Sequence, residues 1–246
     1  MRDFGVSRRQ FLVAAGAGVL GVAVLDTVTA CSSDDGGGNA GTTGGTPRAE
    51  ADLGGWKRVD LAVVSAYLLI RGNEAAVVDL GTGGSADSIE AALKAAGSGW
   101  GNVKHIVITH LHDDHAGGIP GVPAGVRAGF YAGEQDAPNI ITDRTIKPVK
   151  DGDDVFGLRI IGTPGHTLGH ISVFDASLGV LVSGDALRTS EGLAGSDPQF
   201  TADPQQAAAS VRKLARLDVK AILPGHGSPM TAGAAEELRK LAATIS

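Results

Sequence analysis

One stretch, HIVITHLHDDH at residues 105–115, decides the fold of this chain. Its first half, His105–Thr109, is a continuous apolar run, which predicts a strand buried on both faces. Its second half brings His110, His112 and His115 together within six residues. Side chains that follow a buried strand of an α/β sheet point into the crevice at the carboxyl ends of the strands. The stretch therefore predicts an α/β fold with its functional residues at one edge of a sheet.

The crowded histidines indicate a metal site. Three protonated imidazoles this close together would repel one another, so they need a partner that keeps them neutral and oriented. A divalent metal does this, and imidazole combined with carboxylate suits zinc, iron or nickel. A solvated histidine-rich turn is the alternative, but such turns seldom follow a strand as apolar as Ile106–Ile108.

The rest of the folded part consists of short apolar runs divided by Gly, Asp and Pro, with three helical patterns. The runs predict strands at Leu61–Val64, Tyr67–Arg71, Ala75–Asp79, Val126–Tyr131, Leu158–Thr163, Ile171–Asp175, Val180–Ser183 and Ala221–Leu223. Helical spacing predicts helices at Ser85–Ala96, from Asp203-Pro204 to about Leu217, and from a Thr231 cap to about Ile245. Periodicity alone goes no further than the α/β class.

Four more short motifs make the pattern specific. Besides His-x-His-x-Asp-His, the chain contains Val-Val-Asp79-Leu-Gly, Thr-Pro-Gly-His166-Thr, Ser-Gly-Asp185 and Pro-Gly-His226-Gly in that order. These five motifs resemble those of the metallo-β-lactamase superfamily over residues 55–246. The resemblance implies a four-layer αββα sandwich and a metal-dependent hydrolase.

The resemblance also implies a set of ligands for two divalent metal ions, most often Zn²⁺. Those of the first ion would be His110, His112 and His166. Those of the second would be Asp114, His115 and His226, with Asp185 bridging both ions. Each ion then keeps an open position, as catalytic sites do. Asp79 and His170 would support the ligands, whereas Asp113 would be solvated and His105 an ordinary strand residue.

The implied reaction is hydrolysis of an ester, thioester, lactone or amide of a small molecule, with Asp114 orienting water that the ions activate. The motifs depart from the pattern of each of three known subfamilies. Asp185 stands where some lactamases have a Cys ligand. Ala186-Leu187-Arg188 lacks the Tyr that lactone hydrolases usually have shortly after the fourth motif. Little chain follows His226, where hydroxyacylglutathione hydrolases usually have a helical substrate domain. The loop 188–201 would form the substrate mouth. Two alternatives remain: a persulfide dioxygenase with one iron, and a non-catalytic metal-binding lipoprotein.

The amino-terminal segment predicts export. Arg8-Arg9 precedes an uncharged run, Phe11–Leu25, of 15 residues, which resembles a twin-arginine signal and is too short to span a bilayer. Val-Thr-Ala-Cys31 resembles a lipobox, so residues 1–31 would be a signal peptide that leaves an acylated Cys31. Residues 32–51 form a Gly-rich linker and residues 52–246 the catalytic domain. We expect a lipid-anchored protein on the outer face of the membrane or in the periplasm. An ordinary secretory leader is the alternative.

Composition argues against one class of partner and excludes an internal disulfide. The net charge of −6 argues against a nucleic-acid partner, because such proteins present a basic face. Cys31 is the single cysteine, so no disulfide can form within the chain. The expected partners are therefore a small-molecule substrate and, through Cys31, a membrane. The sequence does not indicate an oligomeric state.

Overall fold

The computed structural model describes residues 53–245. The predicted signal peptide, lipobox and most of the linker therefore lie outside the described residues. Within residues 53–245, no helix combines the length and the apolar character that a membrane span requires.

Two sheets form the centre of the domain. The first has six strands in chain order, with β1–β3 antiparallel and β3–β6 parallel: β1 (Trp56–Asp60), β2 (Ser65–Arg71), β3 (Glu74–Val78), β4 (Val103–Ile108), β5 (Gly129–Gly133) and β6 (Ile146–Val149). The remaining strands are β7 (Asp154–Val155), β8 (Leu158–Gly162), β9 (Ile171–Asp175), β10 (Val180–Gly184), β11 (Leu187–Arg188), β12 (Ala194–Gly195) and β13 (Ala221–Pro224). The second sheet has the order β13-β10-β9-β8-β7, and β11 and β12 form a separate ribbon.

Helices cover the outer faces of both sheets, and the three resulting apolar layers define the sandwich. The helices are α1 (Ala86–Ala95), α2 (Asp113–Ala116), α3 (Pro204–Leu214) and α4 (Ala234–Thr244). Alternation along β4 sends Ile106 and Ile108 towards α1, while Val107 packs between the sheets. Leu181 of β10 packs with Val211 of α3 on the far side of the second sheet. The predicted αββα sandwich is therefore confirmed, as is a β4 strand buried on both faces.

Two local predictions are wrong. Leu61–Val64 is the turn between β1 and β2: Ala62 has φ 72°, its N–H donates to Asp60 at 3.1 Å, and the Val63 side chain is 68% exposed. The run is apolar because Leu61 and Val64 pack against the core, but the left-handed backbone at Ala62 turns the chain between them, so no strand forms. Thr231 does not cap the last helix, which instead begins after Gly233 with φ 71°.

Other boundaries differ less. The strand predicted from Val126 begins at Gly129. Ser85 occupies the cap position of α1 without a capping hydrogen bond from its side chain. Asp203 does cap α3, since its Oδ1 accepts from Gln206 N at 3.0 Å. Strands β1, β6, β7, β11 and β12 were not predicted.

The topology gathers the functional motifs at one end of both sheets. Strands β3 and β4 are parallel and lead into Asp79 and His110, while β10 and β13 are parallel and lead into Asp185 and His226. The loop from β8 to β9 carries His166. The carboxyl ends of parallel strands share an edge, so these loops converge.

Candidate metal centre

Three groups of side chains at this edge could each hold a metal ion. The first group is His110 with His112 and His166, and the second group is Asp114 with His115 and His226. A third group, His110 with His115 and Asp185, links the first two. Within each group the candidate ligand atoms lie within 4.8 Å of one another. All seven side chains that the sequence singles out as ligands are therefore brought together.

In the first group, three ring nitrogens face one another. His112 Nδ1 lies 3.1 Å from His110 Nε2 and 2.9 Å from His166 Nε2. The other nitrogens of two of these rings are occupied: His110 Nδ1 donates to Thr109 Oγ1 at 3.1 Å, and His166 Nδ1 donates to Ser196 Oγ at 2.9 Å. The Nε2 atoms of His110 and His166 therefore present lone pairs.

The number of protons available favours a cation over a hydrogen-bonded cluster. Two facing lone pairs can share at most one proton with the third nitrogen, His112 Nδ1. In a tetrahedral zinc site with Zn–N distances of about 2.0–2.1 Å, neighbouring nitrogens lie about 3.3 Å apart. The two separations from His112 Nδ1, 3.1 and 2.9 Å, are slightly shorter than that spacing.

The second group repeats this arrangement with a carboxylate. His226 Nε2 lies 3.3 Å from Asp114 Oδ2, and His115 Nε2 lies 3.8 Å from the same oxygen. His115 Nδ1 donates to Asp79 Oδ2 at 2.8 Å, and His226 Nδ1 donates to the Val63 carbonyl at 2.7 Å. Both Nε2 atoms are thereby directed towards the centre of the site.

Asp185 lies between the two groups. Its Oδ1 is 3.3 Å from His115 Nε2, and its Oδ2 is 3.2 Å from His226 Nε2 and 3.5 Å from His166 Nε2. Among the described residues, His115 Nε2 and Asp185 Oδ1 are buried atoms without a hydrogen-bond partner. These two atoms face each other at 3.3 Å without forming a hydrogen bond, and a cation between them would satisfy both. The residues present thus fit a metal.

Burial sets the protonation of the first group. It lowers the pKa of His110 well below the usual value and lowers the pKa of His166 to about 4. Removing an imidazolium from water destabilises the charged form, so both rings are neutral near neutral pH. These two rings need not lose a proton to bind an ion.

The second group has the opposite tendency. Burial disfavours the charged form of His115, but the neighbouring Asp185 outweighs it and raises the pKa of the ring well above the usual value. Hydrogen bonds to Asp114 and Asp185 raise the pKa of His226 to about 10. Burial opposes ionisation of Asp185, yet the charge of His115 holds the pKa of this carboxyl well below its usual range. Without an ion, protons therefore occupy the positions that a cation would take.

Asp79 orients a candidate ligand from outside the three groups. It has φ 62°, a left-handed conformation that Asp tolerates better than most residues, and it is buried. It accepts from Thr109 N at 2.7 Å, from Thr109 Oγ1 at 2.8 Å and from His115 Nδ1. The carboxylate thereby fixes the tautomer of His115 directly and that of His110 through the Thr109 hydroxyl.

His170 supports the backbone of Asp185. Its Nε2 accepts from Asp185 N at 3.0 Å, while its Nδ1 donates to Thr163 Oγ1 at 2.8 Å. The hydroxyl groups of Thr163 and Ser172 are hydrogen-bonded to each other, and the Ser172 hydroxyl donates to the Ser183 carbonyl. Burial lowers the pKa of His170 to about 3, so the ring stays neutral and can accept this hydrogen bond.

Asp136 is a functional residue that sequence reasoning missed. This buried carboxylate accepts from Leu111 N at 3.1 Å, from Gly169 N at 2.7 Å and from the Thr167 hydroxyl. It therefore ties the loop with His110 and His112 to the loop with His166. No local signal marks it, because its partners lie 25 to 33 residues away. Ser196, which accepts from His166, was missed for the same reason.

Two other residues near the motifs lie apart from the site. Asp113 is exposed at the start of α2. His105 lies at the opposite end of β4, where its ring packs against Tyr131 and Phe156 with centroid distances of 5.9 and 4.9 Å. Neither belongs to any of the three groups that could hold an ion.

Two cavities open on either side of the site. One, of about 440 Å³, is lined by Asp185 and His226 together with Arg188 and Phe200. The other, of about 380 Å³, is lined by His112 and His166 and again by Phe200. The exposed Phe200 ring thus belongs to both, and a bound molecule could contact the site from either side.

Comparisons with known proteins agree with this geometry. Residues 59–226, more than half of the chain, match the family model described as the metallo-beta-lactamase superfamily. The probable metallo-hydrolase YflN of Bacillus subtilis (strain 168) is 33% identical over 174 residues, covering 52% of this chain and 66% of its own length. A hydroxyacylglutathione hydrolase of Alkalilimnicola ehrlichii is 36% identical over 160 residues, covering 62% of this chain and 56% of its own. The chain thus spans between about half and two thirds of these relatives.

A solved structure extends the match to three dimensions. The metallo-beta-lactamase family protein TTHA1429 from Thermus thermophilus is 25% identical, with a TM-score of 0.60. The superposition covers 77% of this chain and 78% of that one.

Proposed function

Because the chain belongs to the metallo-β-lactamase superfamily of metal-dependent hydrolases, we propose that it uses two divalent ions, most often zinc, to hydrolyse an ester, thioester, lactone or amide of a small molecule. The observation that carries the proposal is the pair of buried atoms without partners, His115 Nε2 and Asp185 Oδ1, beside three converging imidazole nitrogens. This donor set has room for cations in two adjacent groups that share one carboxylate.

Each ion would have its own ligands. His110, His112 and His166 would hold the first, and Asp114, His115 and His226 the second, with Asp185 shared. When bound, such ions lower the pKa of water towards 7 and polarise a carbonyl oxygen. No nucleophilic Ser or Cys is then needed, and the sequence has no Gly-x-Ser-x-Gly elbow.

Other residues of the protein would orient the attacking water and hold the ligand loops in place. Asp114 is partly exposed, and its hydrogen bond with His226 lowers the pKa of the carboxyl, which keeps it ionised near neutral pH. It is placed to accept a hydrogen bond from attacking water. Asp79 and Asp136 hold the ligand loops, and Phe200 lines both cavities beside the site.

A substrate panel tests this proposal. Metal-loaded protein is assayed with chromogenic esters, thioesters, lactones and β-lactams, alongside His110→Ala and an exposed control, Asp113→Ala. We expect one substrate class to be turned over, with activity lost in His110→Ala and kept in Asp113→Ala. Persulfide oxidation by protein with one iron, without any hydrolysis, would favour the dioxygenase alternative. Metal binding without turnover of any kind would favour the non-catalytic lipoprotein.

We also propose that the protein is exported by the twin-arginine route and anchored through Cys31. Export of a folded protein would allow metal insertion in the cytoplasm before exposure to external competition. Stable anchoring requires more than one acyl chain. Cys31→Ser should release the protein or leave an unprocessed precursor, and lysines in place of Arg8 and Arg9 should block export. Wild-type protein free in the cytoplasm, with Met1 and unmodified Cys31 by mass spectrometry, would refute both claims.

A further inference from the structure

A further cavity opens at the amino ends of the parallel strands, away from the metal centre. Its volume is about 450 Å³, and Arg127, Arg144 and Lys147 line it. Arg127 precedes β5, Arg144 precedes β6, and Lys147 is the second residue of β6. Strands β4, β5 and β6 are parallel, and the metal motif at His110 follows the carboxyl end of β4. Because the five residues of β5 span about 16 Å, this cavity is separate from the two that border the metal site.

The three cations of this cavity are not balanced by acids of the described residues. Within residues 53–245, the side chains that line the cavity include no Asp or Glu, and none of the three cations forms an ion pair. The whole chain has a net charge of −6, so this positive cavity contrasts with the rest of the protein. A cleft lined by charges of one sign concentrates ions of the opposite sign.

The guanidinium of Arg144 is held in place by its surroundings. Its Nη2 donates to the carbonyls of Val122 at 2.8 Å and Pro123 at 3.3 Å. Its central carbon lies 5.5 Å from the centroid of the Phe130 ring, which is buried and also lines the cavity. These contacts occupy one of the three guanidinium nitrogens, so the N–H groups of Nε and Nη1 are available to a ligand. A fork that is already fixed loses little conformational freedom when it binds an anion.

The other donors of the cavity are less constrained. Arg127 and Lys147 are exposed, and Lys147 Nζ lies 5.5 Å from the centroid of the Tyr131 ring. The hydroxyl of Thr145 lines the cavity as well and can donate one hydrogen bond. The cavity thus offers one fixed guanidinium, two adaptable cations and a neutral donor.

A phosphate group matches this set of donors better than a carboxylate does. A phosphate ester carries up to two negative charges and three acceptor oxygens, whereas a carboxylate carries one charge and two oxygens. An arginine fork pairs with two phosphate oxygens, and lysine binds phosphate as a point charge. The volume of about 450 Å³ is within the range of about 300–1,000 Å³ that is typical of small-molecule sites, which leaves room for the rest of an ester.

We propose that this cavity binds the phosphate group of a phosphate ester, supplied either by a soluble molecule or by the headgroup of an anionic phospholipid. Arg144 would pair with two phosphate oxygens, while Arg127 and Lys147 would balance the charge. The binding involves no covalent step and does not rest on the proposed hydrolase function, because the metal centre lies at the opposite ends of the strands.

Calorimetry on the metal-loaded full chain tests the site with inorganic phosphate and glycerol 3-phosphate as probes. Wild type is compared with Arg127→Met, Lys147→Met, the double variant and the control Arg216→Met, which removes an exposed cation that does not line the cavity. Arg144 stays unchanged in all of them, because it also holds the backbone at Val122 and Pro123.

We expect the affinity for both probes to fall about tenfold in each single variant and at least about 100-fold in the double variant, because each substitution removes a charge-assisted hydrogen bond. Arg216→Met should stay within about twofold of wild type. Metal content should be the same in all the variants, since none of the substituted residues belongs to the groups that could hold an ion.

Vesicles distinguish the two sources of the phosphate. Phosphatidylcholine vesicles with and without phosphatidylglycerol are compared for wild type and the double variant, which share the same amino-terminal segment. Binding that requires phosphatidylglycerol and falls in the double variant would assign the site to a lipid headgroup. Equal vesicle binding by the two proteins, with glycerol 3-phosphate binding lost in the double variant, would assign it to a soluble ester.

Three results would overturn the proposal. In the first, neither phosphate probe binds to wild type and vesicle binding does not differ between wild type and the double variant. In the second, phosphate binding survives the double variant and is lost in His110→Ala, which would place the anion at the metal centre. In the third, the double variant binds both probes as tightly as Arg216→Met. Failure of the hydrolase proposal would leave all these measurements valid, because none of them depends on turnover.

Discussion

Asp79→Asn should lower the affinity for the second metal ion, because it changes the tautomer of the ligand His115. The carboxylate accepts three hydrogen bonds, two from Thr109 and one from His115 Nδ1. Asn keeps the size and tolerates the φ of 62° at this position, but it has one acceptor oxygen. If the amide oxygen keeps its hydrogen bond from Thr109 N, the amide NH₂ faces the His115 ring. The ring then carries its proton on Nε2, where it cannot bind a cation.

The expected magnitude follows from these contacts. Losing one or two of the three hydrogen bonds should lower the free energy of unfolding of the metal-free protein by about 1–3 kcal/mol. Replacing a partner that fixes a ligand histidine weakens metal affinity by about 10- to 100-fold. Stepwise titration against a chromophoric chelator measures both ions, and nitrogen-15 spectra of the zinc form report the tautomer of His115.

Asp136→Asn is the matched control. It also removes a buried carboxylate with three donors, but these donors are Leu111 N, Gly169 N and the Thr167 hydroxyl rather than a ligand ring. It should therefore lower the affinity for the first ion more than that for the second, because Asp136 joins the two loops that carry the ligands of the first ion. If Asp79→Asn folds and its affinity for the second ion stays within about twofold of wild type, the argument from the His115 tautomer is refuted.

Three further predictions concern the ions. Asp185→Asn should lower the affinity for the second ion by at least about 100-fold, because removing one partner of a buried charge pair costs about 3–5 kcal/mol. Turnover should also fall greatly. Activity within a few-fold of wild type would exclude a bridging role for Asp185. Binding of the second ion near neutral pH should release about two protons, because the raised pKa values of His115 and His226 keep both rings protonated without an ion. The affinity for this ion should therefore rise with pH up to about 10, the pKa of His226. Calorimetry in buffers of different ionisation enthalpy measures the number of protons released. Chelation should lower Tm reversibly, since an ion at 100 times its Kd stabilises by about 2.7 kcal/mol per site; an unchanged Tm in protein that has lost its ions would contradict this.

Local sequence was sufficient for the parts of the fold that depend on neighbouring residues. The apolar run before His110 predicted β4 because a strand buried on both faces must be apolar throughout. The cap at Asp203 was predicted because the capping hydrogen bond spans three residues. The set of candidate ligands came from the resemblance of the five motifs to those of the superfamily. The structure brings these side chains together at the edge that the carboxyl ends of the parallel strands share.

The remaining features depend on contacts that are distant in sequence. The Val63 carbonyl that accepts from His226 Nδ1 is 163 residues away, and it lies in a turn that the apolar pattern assigned to a strand. The same holds for Ser196 and Asp136, which hold His166 and its loop from 30 or more residues away. Such partners follow from how the two sheets pack, which no local pattern encodes.

The metal content of the purified protein tests the central claim most directly. Elemental analysis of the full chain, with protein quantified by amino-acid analysis, should give close to two divalent ions per chain, zinc most often. Substituting His110 should lower that number, because this ring belongs to two of the candidate groups. One tightly held iron and no second ion would contradict the paired site, and no metal under any loading condition would contradict the whole account.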